Sequence, residues 1–403
     1  MISTPGQGSG QISKGIVLIH RLTVDGLLSF GDGGIDLPLE PLNVLIGPNS
    51  AGKSNLLEIL ALLQQAPKDM FLPTRSSGGA QEWLWKGIGG KGQATITTVV
   101  ESSRQTPRLH HMVRLAESRH QLIVVKERIQ YQQQDPDAGP PSLVYWTHDK
   151  GSTLKLKGMQ YRTISFDLLQ TDQSILSQVR DPGAYPALTD LSQQYEEIRL
   201  YRNWSIGPAA AMRRPSSANA RPDYLRENGD NAALLFSNFP PRTQNTIVKA
   251  LQEVYDNIGN ITTSTLDGQV TLWVEEDMGR EVSAARLSDG TLRYLSLLMI
   301  LLHPTPPGLI AIEEPELGLH PDIVSKVAEL LVDASQRTQL LVTTHSPILL
   351  DALSAHPASV LVCTRERAGS QIERLDVDYV APLLENAELG ELWNLGELGG
   401  TRW

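Results

Sequence analysis

Cysteine is almost missing from this chain of 403 residues, which carries one, Cys363. A single thiol excludes an internal disulfide and any cysteine-rich zinc site. It fits a reducing cytosol, so the cytoplasm is the expected location. Long apolar runs are also missing: no stretch approaches the ~18 consecutive apolar residues of a membrane span, and no membrane partner is expected. Positive charge is in deficit, with 35 Lys and Arg against 45 Asp and Glu and a net charge of -10. That balance argues against a protein that coats DNA by bulk electrostatics, and leaves room only for a local basic groove. Met1 to Gly15 is rich in Gly, Ser and Gln, with one lysine and no apolar core. It reads as a flexible leader and not as a signal peptide. No internal repeat and no long heptad run appears, so any insertion is expected to be compact. What remains, 40% hydrophobic and 20% charged residues with a mean hydropathy of -0.19, is ordinary globular material. The length suffices for a large core, or for a catalytic domain with a sizeable insertion.

Against these absences one stretch stands out, Gly47-Pro48-Asn49-Ser50-Ala51-Gly52-Lys53-Ser54. It is the G-x-x-x-x-G-K-S phosphate-loop pattern, preceded by the apolar run Leu42 to Ile46 and followed by the periodic run Asn55 to Leu60. Strand, loop and helix come in the order that the motif requires. Gly47 and Gly52 allow the tight turns that aim backbone amides at phosphate oxygens. Lys53 is expected to reach the β- and γ-phosphates, and Ser54 to hold Mg²⁺. The nucleotide set is therefore Gly47, Asn49, Ser50, Ala51, Gly52, Lys53, Ser54 and Asn55.

Ile16 to Val24 reads as a first strand, turned by Gly31 to Gly34 onto Ile35 to Leu39. The loop helix should run to Gln65 and stop before Pro67. Met70 to Gly92 is loop-like, with Trp83 and Trp85 as packing residues; Gln81 there is a candidate Mg²⁺ or water ligand, a surface glutamine being the alternative. Ala94 to Val100, His110 to Leu115, Leu122 to Ile129, Leu143 to Trp146 and Leu154 to Leu156 predict a β meander, with Gln130 to Pro141 as a turn. Ala187 to Arg202 reads as one helix. A polar loop, Pro208 to Asp223, carries Arg213, Arg214 and Arg221, which are candidate nucleic-acid contacts or solvated residues. Ala232 to Phe239 and the amphipathic Gln244 to Ile258 predict helices, and Asp267-Gly268 joins two paired strands.

The second half supplies partners for the phosphate loop. Leu287-Ser288-Asp289-Gly290-Thr291-Leu292-Arg293 precedes an apolar helix; Ser288 can cap it, and an exposed helix start suits a phosphate. Leu309 to Ile312 ends in Glu313-Glu314, which puts two carboxylates at the carboxyl end of a buried strand, where active sites of α/β sheets lie. Glu313 is expected to hold Mg²⁺ or its water shell, and Glu314 to orient or deprotonate the attacking water. Asp322 to Ser335 predicts a helix. Gln339 to Thr343 is another strand, whose tip carries His345, a candidate γ-phosphate sensor. Ser359 to Thr364 and Gln371 to Leu375 predict one more strand and its antiparallel neighbour.

Together these motifs resemble the ABC-type ATPases of the SMC/RecF/OLD group, most nearly the bacterial RecF-like AAA_21-type proteins. Gly47 to Ser54 matches Walker A, Leu287 to Arg293 the signature segment, and Ile310 to Glu316 Walker B. Leu317 to Pro321 matches the D-loop, Thr344 to Pro347 the switch histidine, and Leu389 to Trp393 with Gly399-Gly400 the closing segment. Glu313 stands where aspartate is common, and Ser288-Asp289-Gly290 replaces the transporter-like Ser-Gly-Gly. The stretch after Cys363 is too short for a Toprim domain, so no nuclease is expected here.

The resemblance implies an α/β P-loop NTPase head, with a mixed sheet, an antiparallel β subdomain and a mainly helical insertion. The expected division is a leader over 1–15, the N-terminal half of the head with the β subdomain over 16–170, and the insertion over 171–260. The C-terminal half of the head follows over 261–375, with a tail over 376–403. It also implies ATP and Mg²⁺ as cofactors and a homodimer that sandwiches ATP head to tail. In that dimer Lys53, Glu314 and His345 act in one subunit, and Ser288, Asp289 and Gly290 come from the other. Closure is expected to regulate an effector protein in anti-phage defence; a double-stranded-DNA-binding ATPase of repair or genome maintenance is the alternative, and transport is disfavoured by the signature.

Overall fold

A computed structural model describes residues 15–75, 77–87, 89–102, 107–133, 142–148, 151–155, 160–165, 169–204, 207–276 and 279–399. The leader, apart from Gly15, the 134–141 part of the expected turn, and Gly400 lie outside the described residues. Among the described residues, no helix is long and apolar enough to cross a membrane.

The site is positioned by a six-stranded sheet. Its strands run in the order Ile198–Tyr201, Leu309–Glu313, Gln339–Thr343, Leu42–Ile46, Val360–Glu366, Gly369–Arg374. All neighbours are parallel except the last pair. Parallel strands covered on both faces read as unbroken apolar runs, which is why Leu42 to Ile46 and Leu309 to Ile312 lack alternation. The period of two still divides them. Val44, Ile46, Ile310, Ile312, Leu340 and Val342 face one core cluster, which includes the signature helix Asp289–Leu301. Leu45, Ala311, Leu341, Leu361 and Cys363 face the other, which includes the loop helix Lys53–Gln65.

The second layer is an antiparallel sheet in the order Ile35–Pro38, Ile19–Asp25, Gln93–Val100, Leu109–Ser118, Gln121–Tyr131, Leu143–His148, Gly151–Lys155, Tyr161–Ile164. This is the expected meander, preceded by the hairpin that Gly31 to Gly34 turns. Buried Gln339 ties the two sheets together. Its Oε1 accepts from the amides of Leu18 (3.1 Å) and Ile19 (2.9 Å), and its Nε2 donates to the carbonyls of Ile19 (2.9 Å) and Glu40 (3.2 Å). One side chain thus does the work of a strand partner across the layer boundary. A third, small sheet holds Ile258–Leu266 and Gln269–Glu276, joined at Asp267-Gly268, both with positive φ as a tight hairpin turn requires.

One difference from the sequence reading bears on the site. The helix that begins at Pro186 ends at Glu196, and Ile198–Tyr201 is a strand, parallel to Leu309–Glu313. Ile198, Leu200 and Tyr201 are all buried. Four residues directly after a helix carry no period of their own, and their pairing partner lies more than a hundred positions away. The tertiary pairing overrides the local signal. Its consequence is functional, because the chain leaving this strand passes over the tip of Leu309–Glu313.

Candidate functional site

Three neighbouring strands of the parallel sheet, Leu309–Glu313, Gln339–Thr343 and Leu42–Ile46, deliver their carboxyl ends to one place. From the last of them the phosphate loop emerges with positive φ at Gly47, Ser50 and Gly52. Space as well as angle requires glycine there. A Cβ at Gly47 would lie 2.2 Å from the Cys363 carbonyl, and one at Gly52 would lie 2.7 Å from Ser370 Oγ and 2.8 Å from Ser29 Oγ. No side chain caps the helix that begins at Lys53, so its first amides keep their capacity for an anion.

Lys53 is buried, and its Nζ donates to the carbonyls of Gly47 (2.9 Å) and Pro48 (3.0 Å). Burial holds its pKa below the usual lysine value, opposed by Cys363, Glu314 and Glu313. Ser54 Oγ donates a short hydrogen bond to Glu313 Oε1. Glu314 follows in a left-handed backbone conformation, φ +46°. Its amide donates to Thr343 O (3.0 Å) and Thr343 Oγ1 (3.3 Å), and its Oε1 lies 3.8 Å from His345 Nε2. Asn49, Ser50, Gly52, Lys53, Ser54, Asn55, Glu313, Glu314, Thr343 and His345 together line a cavity of about 140 Å³. That space is polar-lined and holds several waters or phosphate oxygens.

Several residues that shape this cavity were not singled out in the sequence. Trp204, just beyond the unexpected strand, donates from Nε1 to the Glu313 carbonyl at 2.9 Å. Arg293, on the signature helix, is buried beneath the Trp204 ring at 4.3 Å; it donates from Nη2 to the Glu314 carbonyl in a short bond and from Nε to the Pro315 carbonyl at 3.3 Å. Burial brings the Arg293 pKa down to about 10, against Glu316 and Glu314. Glu316 Oε1 accepts from Thr344 Oγ1 (2.7 Å) and the His345 amide (2.9 Å), and burial raises its pKa. Glu316 adjoins the acidic strand end and so had a local signal. Trp204 had none.

The remaining expected residues fall elsewhere. Gln81 lies on the short helix Ala80–Trp83, exposed, with Nε2 3.4 Å from His120 Nδ1. It is not among the residues that line the cavity, and the candidate metal role is set aside. Ser288, Asp289 and Gly290 do not line it either. They sit on the surface at the start of the signature helix, where Ser288 Oγ accepts from the Thr291 amide at 3.1 Å. The arginines of the polar loop separate. Arg221 lines a groove of about 940 Å³ with Arg75, which Asp69 pairs at 2.7 Å, whereas Arg213 is bound to the signature turn and Arg214 is exposed.

Comparison with known proteins places this arrangement. The profile of one family, described as "AAA domain, putative AbiEii toxin, Type IV TA system", matches residues 42–106 and 174–351, more than half of the chain. Among solved structures, the Smc head domain with a coiled coil and joint from Pyrococcus yayanosii aligns with 91% of this chain and 99% of its own, at a TM-score of 0.50 and 10% identity. The SMC head domain from Thermotoga maritima aligns with 90% of this chain and 100% of its own, at 0.49 and 15%. The Pyrococcus furiosus Smc head, solved bound to the C-terminal domain of ScpA, aligns with 91% and 98%, at 0.49 and 12%.

Proposed function

We infer that this chain, which belongs to the AAA_21 family and has the fold of an SMC head domain, works as a P-loop ATPase of the ABC/SMC type. From that premise we propose that two copies enclose Mg·ATP head to tail, hydrolyse it, and use the resulting opening and closing to control an effector protein. The observation that carries this reading is the division of the site. Lys53, Ser54, Glu313, Glu314 and His345 converge on one small cavity, while Ser288 to Gly290 face outward from another part of the same chain. An open half-site and an outward signature turn complement each other only between copies.

In the proposed reaction the amides of the phosphate loop and Lys53 bind the β- and γ-phosphates. Phosphate charge would offset the cost of burying the Lys53 ammonium. The Ser54 and Glu313 oxygens, already brought together through one proton, fit a hard divalent cation. Among the described residues no group of three His, Cys, Asp or Glu could hold a metal alone, so the other ligands would be phosphate and water oxygens. Bound Mg²⁺ would neutralise charge on the phosphates. Glu314 accepts a proton from water as its oxygen attacks the γ-phosphorus; the bond to the β,γ-bridging oxygen breaks, and ADP departs with that electron pair. His345, at 3.8 Å from Glu314, holds the carboxylate and the γ-phosphate in register.

The family's printed toxin–antitoxin description, and the scarcity of basic charge, favour an effector protein over DNA as the responding partner. The test is solution mass and ATP turnover of Glu314→Gln protein, with and without Mg·ATP, and with duplex DNA titrated at fixed salt. A nucleotide-dependent dimer without turnover supports the reading. Normal turnover by the variant removes Glu314 from its role. Stimulation of the parent enzyme by DNA transfers the proposal to genome maintenance.

A further inference from the structure

The signature turn carries an electrostatic problem. In the proposed dimer the N-terminus of the signature helix meets the partner's triphosphate, yet its first residue is Asp289, a carboxylate where the transporter-like pattern has glycine. An anion at that position repels the ligand that the helix start is meant to attract. The structure shows what meets this charge. Asp289 Oδ1 is turned away from its own helix and accepts from Arg213 Nη2 at 2.5 Å and from the Gly207 amide at 3.0 Å. Ser288, and not Asp289, supplies the helix cap.

Arg213 is held as firmly as the carboxylate it faces. Its Nε donates to Gly207 O at 2.9 Å, and its Nη1 donates to Leu287 O at 2.6 Å and Ala285 O at 3.1 Å. Its side chain is only 11% exposed. A nearly buried guanidinium with three carbonyls and one carboxylate around it has a fixed position. It belongs to the short helix Ala211–Arg213 in the polar loop, far in sequence from both halves of the ATPase motif set.

We propose that Arg213 is a positioning residue for the ATP site of the partner subunit. It neutralises Asp289 and draws its carboxylate aside, so that the Ser-Asp-Gly turn can receive phosphate as Ser-Gly-Gly would. This rests on the sandwich reading, and it makes the polar loop an element through which a bound effector can tune dimer closure. The Arg213–Asp289 contact keeps the Asp289 pKa below the ordinary carboxylate range, so the pair is ionic at neutral pH.

The experiment is a double-substitution cycle in Glu314→Gln protein, read by sedimentation with and without Mg·ATP. Arg213→Gln keeps amide donors for the carbonyls but removes the charge; Arg213→Lys keeps the charge; Arg213→Gln with Asp289→Asn removes both charges. The expected result is ATP-dependent association weakened about tenfold or more by Arg213→Gln, less so by Arg213→Lys, and recovered in the double variant. Binding of a fluorescent ATP analogue to dilute monomer, which uses the chain's own phosphate loop, should be unchanged in all of them. Undiminished association in Arg213→Gln overturns the proposal, and so does a loss that Asp289→Asn fails to repair, which would make Arg213 a purely structural clamp. Absence of an ATP-dependent dimer in the parent protein overturns the sandwich itself, a distinct outcome.

Discussion

Replacing Arg293 by methionine should separate catalysis from nucleotide binding. Methionine preserves much of the apolar stem under Trp204 but removes the donors to the Glu314 and Pro315 carbonyls. Glu314 has φ +46°, and a non-glycine residue in such a conformation costs about 1–3 kcal/mol and persists only where its surroundings hold it. A hydrogen bond from a charged donor contributes about 1.5–3 kcal/mol, the same size as that strain. The bonds from the Glu314 amide to Thr343 remain in the variant, so the strand should stay intact while the Glu314 peptide loses its restraint on the carbonyl side. Displacing a catalytic group by about 1 Å costs on the order of a hundredfold in rate. The expected outcome is a kcat lower by between about tenfold and a hundredfold, with KM for ATP changed by less than about threefold, because Arg293 does not line the cavity that Lys53 and its loop form. Steady-state kinetics at saturating Mg²⁺ measure both, and a high-resolution structure of the variant reports φ at Glu314. A kcat equal to the parent's, accompanied by lower thermal stability, would refute the argument and leave Arg293 as a packing residue.

Gln339→Leu should strip the Leu18 and Ile19 amides of a buried acceptor, at about 1–3 kcal/mol each, and lower the urea midpoint with little change in slope; an unchanged midpoint would show that another group takes them over. Stability should also fall as pH drops below about 6.5, the ordinary histidine value. Burial holds His20, His110 and His303 below that value in the folded state, so the unfolded chain takes up protons that the native chain refuses. Urea titrations at pH 7 and pH 5.5 check the sign, and His303→Gln should flatten the slope. Cys363 is fully buried and its thiol is pushed up to about 12, so native protein at pH 8 should not react with a disulfide reagent, whereas denatured protein should release one equivalent.

Much of the candidate site's geometry was legible in the sequence because its information is local. Gly47, Gly52, Lys53 and Ser54 are held at fixed spacing by one turn and one helix start, so spacing alone states their geometry. Glu313 and Glu314 were placed at a strand end by the four apolar residues before them, and His345 by the five residues of Gln339 to Thr343. The strand tips meet because parallel strands buried on both faces must align their carboxyl ends. The antiparallel meander announced itself through alternation, and the Asp267-Gly268 hairpin through its turn chemistry.

Only the tertiary structure decided the rest. Ile198 to Tyr201 looked like the end of a helix, since a four-residue parallel strand takes its conformation from its neighbour and not from itself. Gln81 carries a chemically suitable side chain, but its short helix holds it against His120 and away from the cavity. In the sequence Trp204 and Arg293 have no visible role, and Arg213 reads only as a nucleic-acid contact or a solvated residue, for a common reason: most of their acceptors are backbone carbonyls, at Glu313, Leu287, Glu314 and elsewhere. A carbonyl has no residue type and leaves no mark in a sequence, so which side chain finds it is settled only when distant segments pack.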